Sequence, residues 1–86
     1  MKVNPFAVMQ EEFDHTGIVF NPDNNRVLTL NKSGVVLWKA FEENCTLDEA
    51  AALLVERFDG VTLEDARRDA ETFAACLVEK SLLSMD

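Results

Sequence analysis

The chain has 86 residues, of which 48% are hydrophobic, with only three glycines and two prolines, and it carries a net charge of −8. That length fits one domain spanning residues 1–86, able to bury about 60–65% of its unfolded surface, which leaves room for a core but not for a deep walled active site besides. The apolar content argues against disorder, and the acidic field repels duplex nucleic acid unless the bases are tightly clustered.

The first predicted strand lies within "PFAVMQEEF" (5–13), where Phe6, Val8 and Phe13 are strand formers. A turn follows at "DHTG" (14–17). Two apolar runs, Ile18-Val19-Phe20 and Val27-Leu28-Thr29-Leu30, flank Asn21-Pro22-Asp23-Asn24-Asn25. Proline presets φ, and Asn and Asp tolerate left-handed turn geometry, so this segment predicts a hairpin. The result is a three-strand meander whose third strand ends near Asn31.

Three helices fill the remainder. The first is expected over 33–43, capped by Asn31 or Ser33, with Gly34, Leu37, Trp38 and Phe41 as its apolar stripe. The second starts at Thr46. "TLDE" is a capping box in which the Thr46 hydroxyl serves the backbone of Glu49 and the Glu49 carboxylate reaches back. Leu47, Ala50, Ala51, Leu54 and Phe58 share a face, and Gly60 suits a left-handed C-terminal position. The third starts at Thr62, whose "TLED" repeats the cap, and places Leu63, Ala66, Ala70, Phe73, Ala74 and Leu77 at helical spacing. Leu82 and Leu83 fold back onto the core. Asp48, Glu49, Glu64 and Asp65 occupy first helical turns, where negative charge is favourable. The fold class is therefore α+β, with three antiparallel strands followed by three helices (βββααα). Only "ENC" (43–45) separates helices one and two, a winged helix-turn-helix-like corner.

Charge is distributed unevenly. From Asn24 to Phe41 there are three bases, Arg26, Lys32 and Lys39, and no acid. From Glu42 to Asp65 there are eight acids against Arg57 alone.

Catalysis needs a convergent nucleophile, base and orienting group, or a metal cage. The chain offers one histidine, His15, beside a turn, no tyrosine, and two cysteines, Cys45 and Cys76, 31 positions apart. No enzyme, cofactor or metal site is expected from this set. A DNA-binding winged helix would need Lys and Arg on the second helix, where "TLDEAAALLVERF" supplies chiefly acids. It is the alternative reading. An acyl carrier lacks its Asp-Ser pair. Trp38 reads as a core residue, or else as an interface anchor. No signal peptide or membrane-spanning stretch is legible, so a reduced, cytoplasmic protein is expected, monomeric or weakly dimeric.

Two stretches carry a resemblance. "GIVFNPDNNRVLTLNKSGVVLWKAF" and "CTLDEAAALLVERFDGVTLEDARRDAETFAACLVEKSLL" resemble, in order and spacing, the PqqD-like family, also called the RiPP recognition element. The likeness runs from about Pro5 to Leu83. Where that pattern has Asp-Gly after the first helix this chain has Glu42-Glu43-Asn44, and where it has glycine near the end this chain has Ser81. The resemblance implies a peptide chaperone without catalytic activity. Such a protein binds the leader segment of a ribosomally made precursor peptide and presents it to a modifying enzyme, frequently a radical SAM enzyme.

By that resemblance the leader adds as a strand beside Arg26–Asn31, against the 70–80 part of the last helix. The stretch Val27-Leu28-Thr29-Leu30 bears no charge to blunt a free sheet edge, so recognition by strand addition has a physical basis there. The expected peptide-binding residues are Arg26, Val27, Leu28, Thr29 and Leu30 on the strand, with Phe73, Cys76 and Leu77 on the helix. Arg26, Lys32 and Lys39 would favour a leader carrying Asp or Glu. Whether position 28 or 29 directs its backbone outward is open from sequence alone.

Overall fold

The computed structural model describes residues 2–84. Its elements are β1 (Lys2–Val3), β2 (Val8–Glu11), β3 (Gly17–Asn21), β4 (Arg26–Leu30), α1 (Lys32–Glu42), α2 (Leu47–Arg57), α3 (Leu63–Glu79) and β5 (Leu83–Ser84). The sheet is antiparallel in the order β2-β3-β4, and β1 pairs with β5 in a separate ribbon. The meander followed by three helices is the expected α+β arrangement. The ribbon, in register Lys2↔Ser84 and Val3↔Leu83, was not foreseen, because two-residue strands leave no periodicity to read.

β3 has the cleanest alternation: Gly17, Val19 and Asn21 are buried while Ile18 and Phe20 are partly exposed. The inner face of the sheet packs on α1, and its core residues are Val19 and Leu30. The first strand of the meander is shorter than its strand formers suggest, with Phe6 and Phe13 outside Val8–Glu11. Phe6, Val8 and Phe13 are 68%, 61% and 98% exposed, and Met9 is the residue packed against the core. The two-residue alternation starts at Val8, so it is Met9 and Glu11 that share the inner face.

Asn31 is the N-cap of α1, its side chain accepting from the Gly34 N–H at 2.8 Å. A Cβ on Gly34 would stand 3.1 Å from that same Asn31 oxygen and 3.3 Å from Leu30 Cβ, so the tight strand-to-helix junction favours glycine. Leu37, Trp38 and Phe41 are all 2% exposed or less. Trp38 is thus a core residue, with its indole N–H enclosed and without a protein acceptor.

Thr46 forms the full capping box with Glu49, and Thr62 caps α3 through the Asp65 N–H. α2 stops at Arg57 with Phe58 extended, and Gly60 takes its positive φ of 76° two residues later. Ala50, Ala51 and Leu54 of α2 meet Ala66, Ala70 and Ala74 of α3 in a core of small residues. Leu63 does not join them and is 60% exposed. Leu82 and Leu83 are buried at the end of the chain. Both cysteines are free thiols.

Buried Asn21 couples sheet to helix. Its amide donates to the carbonyl of Lys80, and its oxygen accepts from the Asp23 N–H in the hairpin loop. The β3–β4 hairpin is thereby fastened to the C-terminal end of α3.

Candidate functional site

An open groove of about 780 Å³ runs between β4 and α3. One wall is Leu28, Thr29 and Leu30, continuing through Asn31, Ser33 and Gly34. The other is Asp69, Thr72, Phe73 and Cys76, one flank of α3. Phe73 is half-buried and stacks on Phe41 of α1 with ring centroids 6.3 Å apart. A second groove, of about 760 Å³, lies by the β1–β5 ribbon. It is bounded by strands paired to each other, whereas the first is bounded by a sheet edge.

The direction of the β4 peptide groups follows from the registers. The Glu12 N–H donates to the Thr16 carbonyl at 2.7 Å. This pair lies one step beyond Glu11↔Gly17, and hydrogen-bonded pairs alternate along an antiparallel ladder. Gln10↔Ile18 and Val8↔Phe20 are therefore hydrogen-bonded, so Ile18 and Phe20 face β2 with their peptide groups. Gly17, Val19 and Asn21 face β4, where they meet Leu30, Leu28 and Arg26. What remains is the pair of N–H and C=O groups on Val27 and on Thr29, directed away from the sheet. The alternative left open by the sequence resolves to position 29.

Side chains alternate in the complementary sense. Arg26, Leu28 and Leu30 lie on the inner face, toward α3. Val27 and Thr29 lie on the outer face in rows with Val8–Phe20 and Gln10–Ile18. An added strand would meet the backbone of Val27 and Thr29 and the side chains of Arg26 and Leu28; the Leu30 side chain is 2% exposed and belongs to the core.

The expected site residues thus have different situations. Leu28, Thr29, Leu30, Phe73 and Cys76 line the groove together. Val27 can contribute only its backbone, and its 60% exposed side chain is on the far face. Arg26 stands at the hairpin end, beyond the groove lining. Leu77 is fully buried in the core and offers no surface to a ligand. Asn31 and Thr72, within the expected stretches 26–31 and 70–80, also line the groove, as do Thr16, Ser33, Gly34, Leu37 and Asp69, which the sequence did not assign to it. On α3 the signal was present, since 69, 72, 73 and 76 recur at three- and four-residue spacing beside the core stripe.

The three bases of the strand-to-helix stretch do not form one rim. Lys39 is bonded to Glu11 on β2, which also receives His15 at 3.3 Å. The Lys39 ammonium, with His15 second, holds the Glu11 carboxyl below its ordinary pKa. Lys32 lines a separate depression with Phe58, Asp59, Val61 and Asp69. Only Arg26 lies along the β4 edge. Away from the groove, burial pushes the Cys45 thiol up, aided by Glu49 and Glu43.

The family model of "Coenzyme PQQ synthesis protein D (PqqD)" matches residues 16–83. Among solved structures, "TbiB1 in Complex with the TbiA(beta) Leader Peptide" is similar over 100% of this chain and 98% of its own, with a TM-score of 0.87 and 21% identity. "Lasso peptide synthetase B1 complexed with the leader peptide" is similar over 92% and 91%, with a TM-score of 0.78 and 16% identity. A search of curated proteins gives no match. At these identities the structural likeness concerns the fold.

Proposed function

The chain belongs to the PqqD family, and from that premise we propose that it binds the leader segment of a ribosomally synthesised precursor peptide by strand addition to β4. It is a chaperone without catalysis of its own, and it presents the peptide to a modifying enzyme of the radical SAM class in the cytoplasm. The observation that carries this reading is the β4 edge: the N–H and C=O groups of Val27 and Thr29 point away from the sheet beside a groove lined by Leu28, Phe73 and Cys76. A flat, uncharged edge invites another strand unless it is covered or used. The two structural relatives were solved with leader peptides, which supports the same use here. No helix among the described residues is long and apolar enough to cross a membrane.

Strand addition specifies the ligand pattern. Residues opposite Leu28 and Leu30 turn their side chains toward α3, while the residue between them faces outward. The favoured segment therefore has an apolar residue opposite Leu28, flanked by residues whose side chains face outward. The test is an amide chemical-shift map with the precursor peptide encoded beside this gene. The largest shifts are expected at Val27 to Leu30 and at Asp69 to Cys76. Shifts concentrated on α2, between Ala50 and Arg57, with β4 silent, would overturn the assignment. Modification of that peptide by its radical SAM enzyme should depend on added protein. A steeply salt-dependent affinity for random duplex DNA would instead favour the nucleic-acid reading.

A further inference from the structure

The groove has a direction. Arg26 lies opposite Asn21, and Asn21 is bonded to the Lys80 carbonyl, so the start of β4 sits at the C-terminal end of α3. The end of β4 sits farther toward the N-terminus of α3, where Leu30, Asn31 and Ser33 share the groove with Asp69. β4 and α3 thus run in opposite senses along the two walls. A basic side chain stands beyond one end of the groove and an acidic one lines the other. Between them the lining is neutral: Leu28, Thr29, Thr72, Phe73 and Cys76. Among the described residues neither Arg26 nor Asp69 makes an ion pair, although Arg67 and Arg68, beside Asp69 in sequence, pair with Asp48, Glu71, Glu64 and Asp65. Lys32 and Asp59 share a depression with Asp69 without pairing to it.

We propose that these two charges select a peptide with a base and an acid four residues apart, in the order Lys/Arg-x-apolar-x-Asp/Glu. This deepens the leader-binding reading and rests on it. Arg26, Leu28 and Leu30 share the inner face, so residues opposite them occupy positions i, i+2 and i+4 of an added strand. Their backbone groups point to β3, so with an added strand they form non-hydrogen-bonded pairs, the class in which opposed side chains approach most closely. Antiparallel pairing is the more stable of the two strand directions. It sets the first of the five residues opposite Leu30, beside Asp69, and the fifth opposite Arg26. The first is therefore basic, the middle one apolar above Leu28 and Phe73, and the last acidic. A peptide of the reverse order keeps its charges matched only by binding in the weaker parallel direction.

Exposed ion pairs are individually weak. Here two act together, and both are mismatched in the reversed peptide, so about a fivefold preference is expected. The experiment is selection of a displayed random nonapeptide library on three forms of the protein: wild type, Arg26→Glu/Asp69→Lys, and Thr29→Pro. Circular dichroism verifies that each is folded. Wild type should enrich base-first over acid-first spacing at i, i+4 by about fivefold, the double variant should invert that order, and Thr29→Pro should lose the enrichment. Enrichment that depends on Thr29 but shows no charge order, or an order the double variant leaves unchanged, overturns this inference and leaves the leader-binding reading standing. Enrichment indifferent to Thr29→Pro, or none on wild type, overturns both.

Discussion

The two edges of the sheet are built differently. At the β2 edge, Met9 and Glu11 direct their peptide groups outward, by the same alternation that frees Val27 and Thr29 on β4. Yet Glu11 stands there as a charged residue, held by Lys39 of α1 and by His15. A charge on an edge strand, fixed by a helix, disfavours an incoming strand. β4 has no charge from Val27 to Leu30 and opens onto a groove instead of a guard. Exposure alone therefore does not distinguish an edge that could accept a strand from one that is guarded. The β2 side carries the most exposed aromatics, Phe6 and Phe13, and sequence reasoning by hydrophobicity alone would choose it.

The contrast can be broken most forcefully on β4 itself. Leu28→Pro removes a donor from the β3–β4 ladder and disturbs a half-buried side chain, so it should lower stability by about 2–4 kcal/mol in urea unfolding. Thr29→Pro removes only an outward donor. Its melting should stay near wild type, while leader-peptide affinity falls about 10- to 100-fold by calorimetry, as expected for leaving a buried acceptor unpaired. Equal destabilisation by both variants would place the outward groups elsewhere.

A smaller effect is expected at the two thiols. Cys76 lines the groove and Cys45 does not. Bound peptide should slow maleimide labelling of Cys76 at least about fivefold, the effect expected of excluded access, and leave Cys45, which lies outside the groove, unchanged. Mass spectrometry of both sites in one sample supplies the internal control.

Ser81, just beyond α3, has a φ of 61°. A left-handed residue with a Cβ is strained, and Ser81→Gly should stabilise the protein by about 0.5–1 kcal/mol after the added flexibility of the unfolded chain is deducted. Peptide affinity should not change, because Ser81 lies outside the groove.

The smallest effect belongs to the guarded edge. Glu11 has a lowered pKa in the folded state, so its contribution is present above the ordinary carboxylate value near 4.5. It fades as pH falls through the depressed folded value. Glu11→Gln should slightly lower the melting temperature at pH 7, and the difference from wild type should vanish in acid. Loss at high pH instead would contradict the pairing with Lys39.

Much of this was legible in the chain. The caps at Asn31, Thr46 and Thr62 are local chemistry, decided within four residues, and all three form. The stripe Leu37, Trp38, Phe41 is dense enough to fix which face of α1 is buried. The strand entering the sheet was harder, because Phe6 and Phe13 have strong strand propensity that tertiary context leaves unused. Leu77 was misplaced from core to groove for a related reason: spacing marks a helical face but not where the stripe ends and its flank begins. The outward direction of Thr29 needed the register of both hairpins at once. The two departures from the family pattern acquire a shared meaning in the backbone: Asn44 and Ser81 both have positive φ, at or beside the positions where that pattern has glycine. Asn accepts that geometry readily and Ser less so.

The footing offered by β4 is short. Two outward residues supply four hydrogen bonds, each contributing about 0.5–1.5 kcal/mol net in water. Against them stands the ordering of several peptide residues, at about 1–2 kcal/mol each for backbone alone. The backbone grip is thus close to balanced, and the surplus must come from side chains in the groove. If β4 takes a leader strand as proposed, the arrangement suits turnover rather than storage: a peptide whose anchoring residues are cleaved or displaced would have little left to hold it, and the edge would be free for the next one.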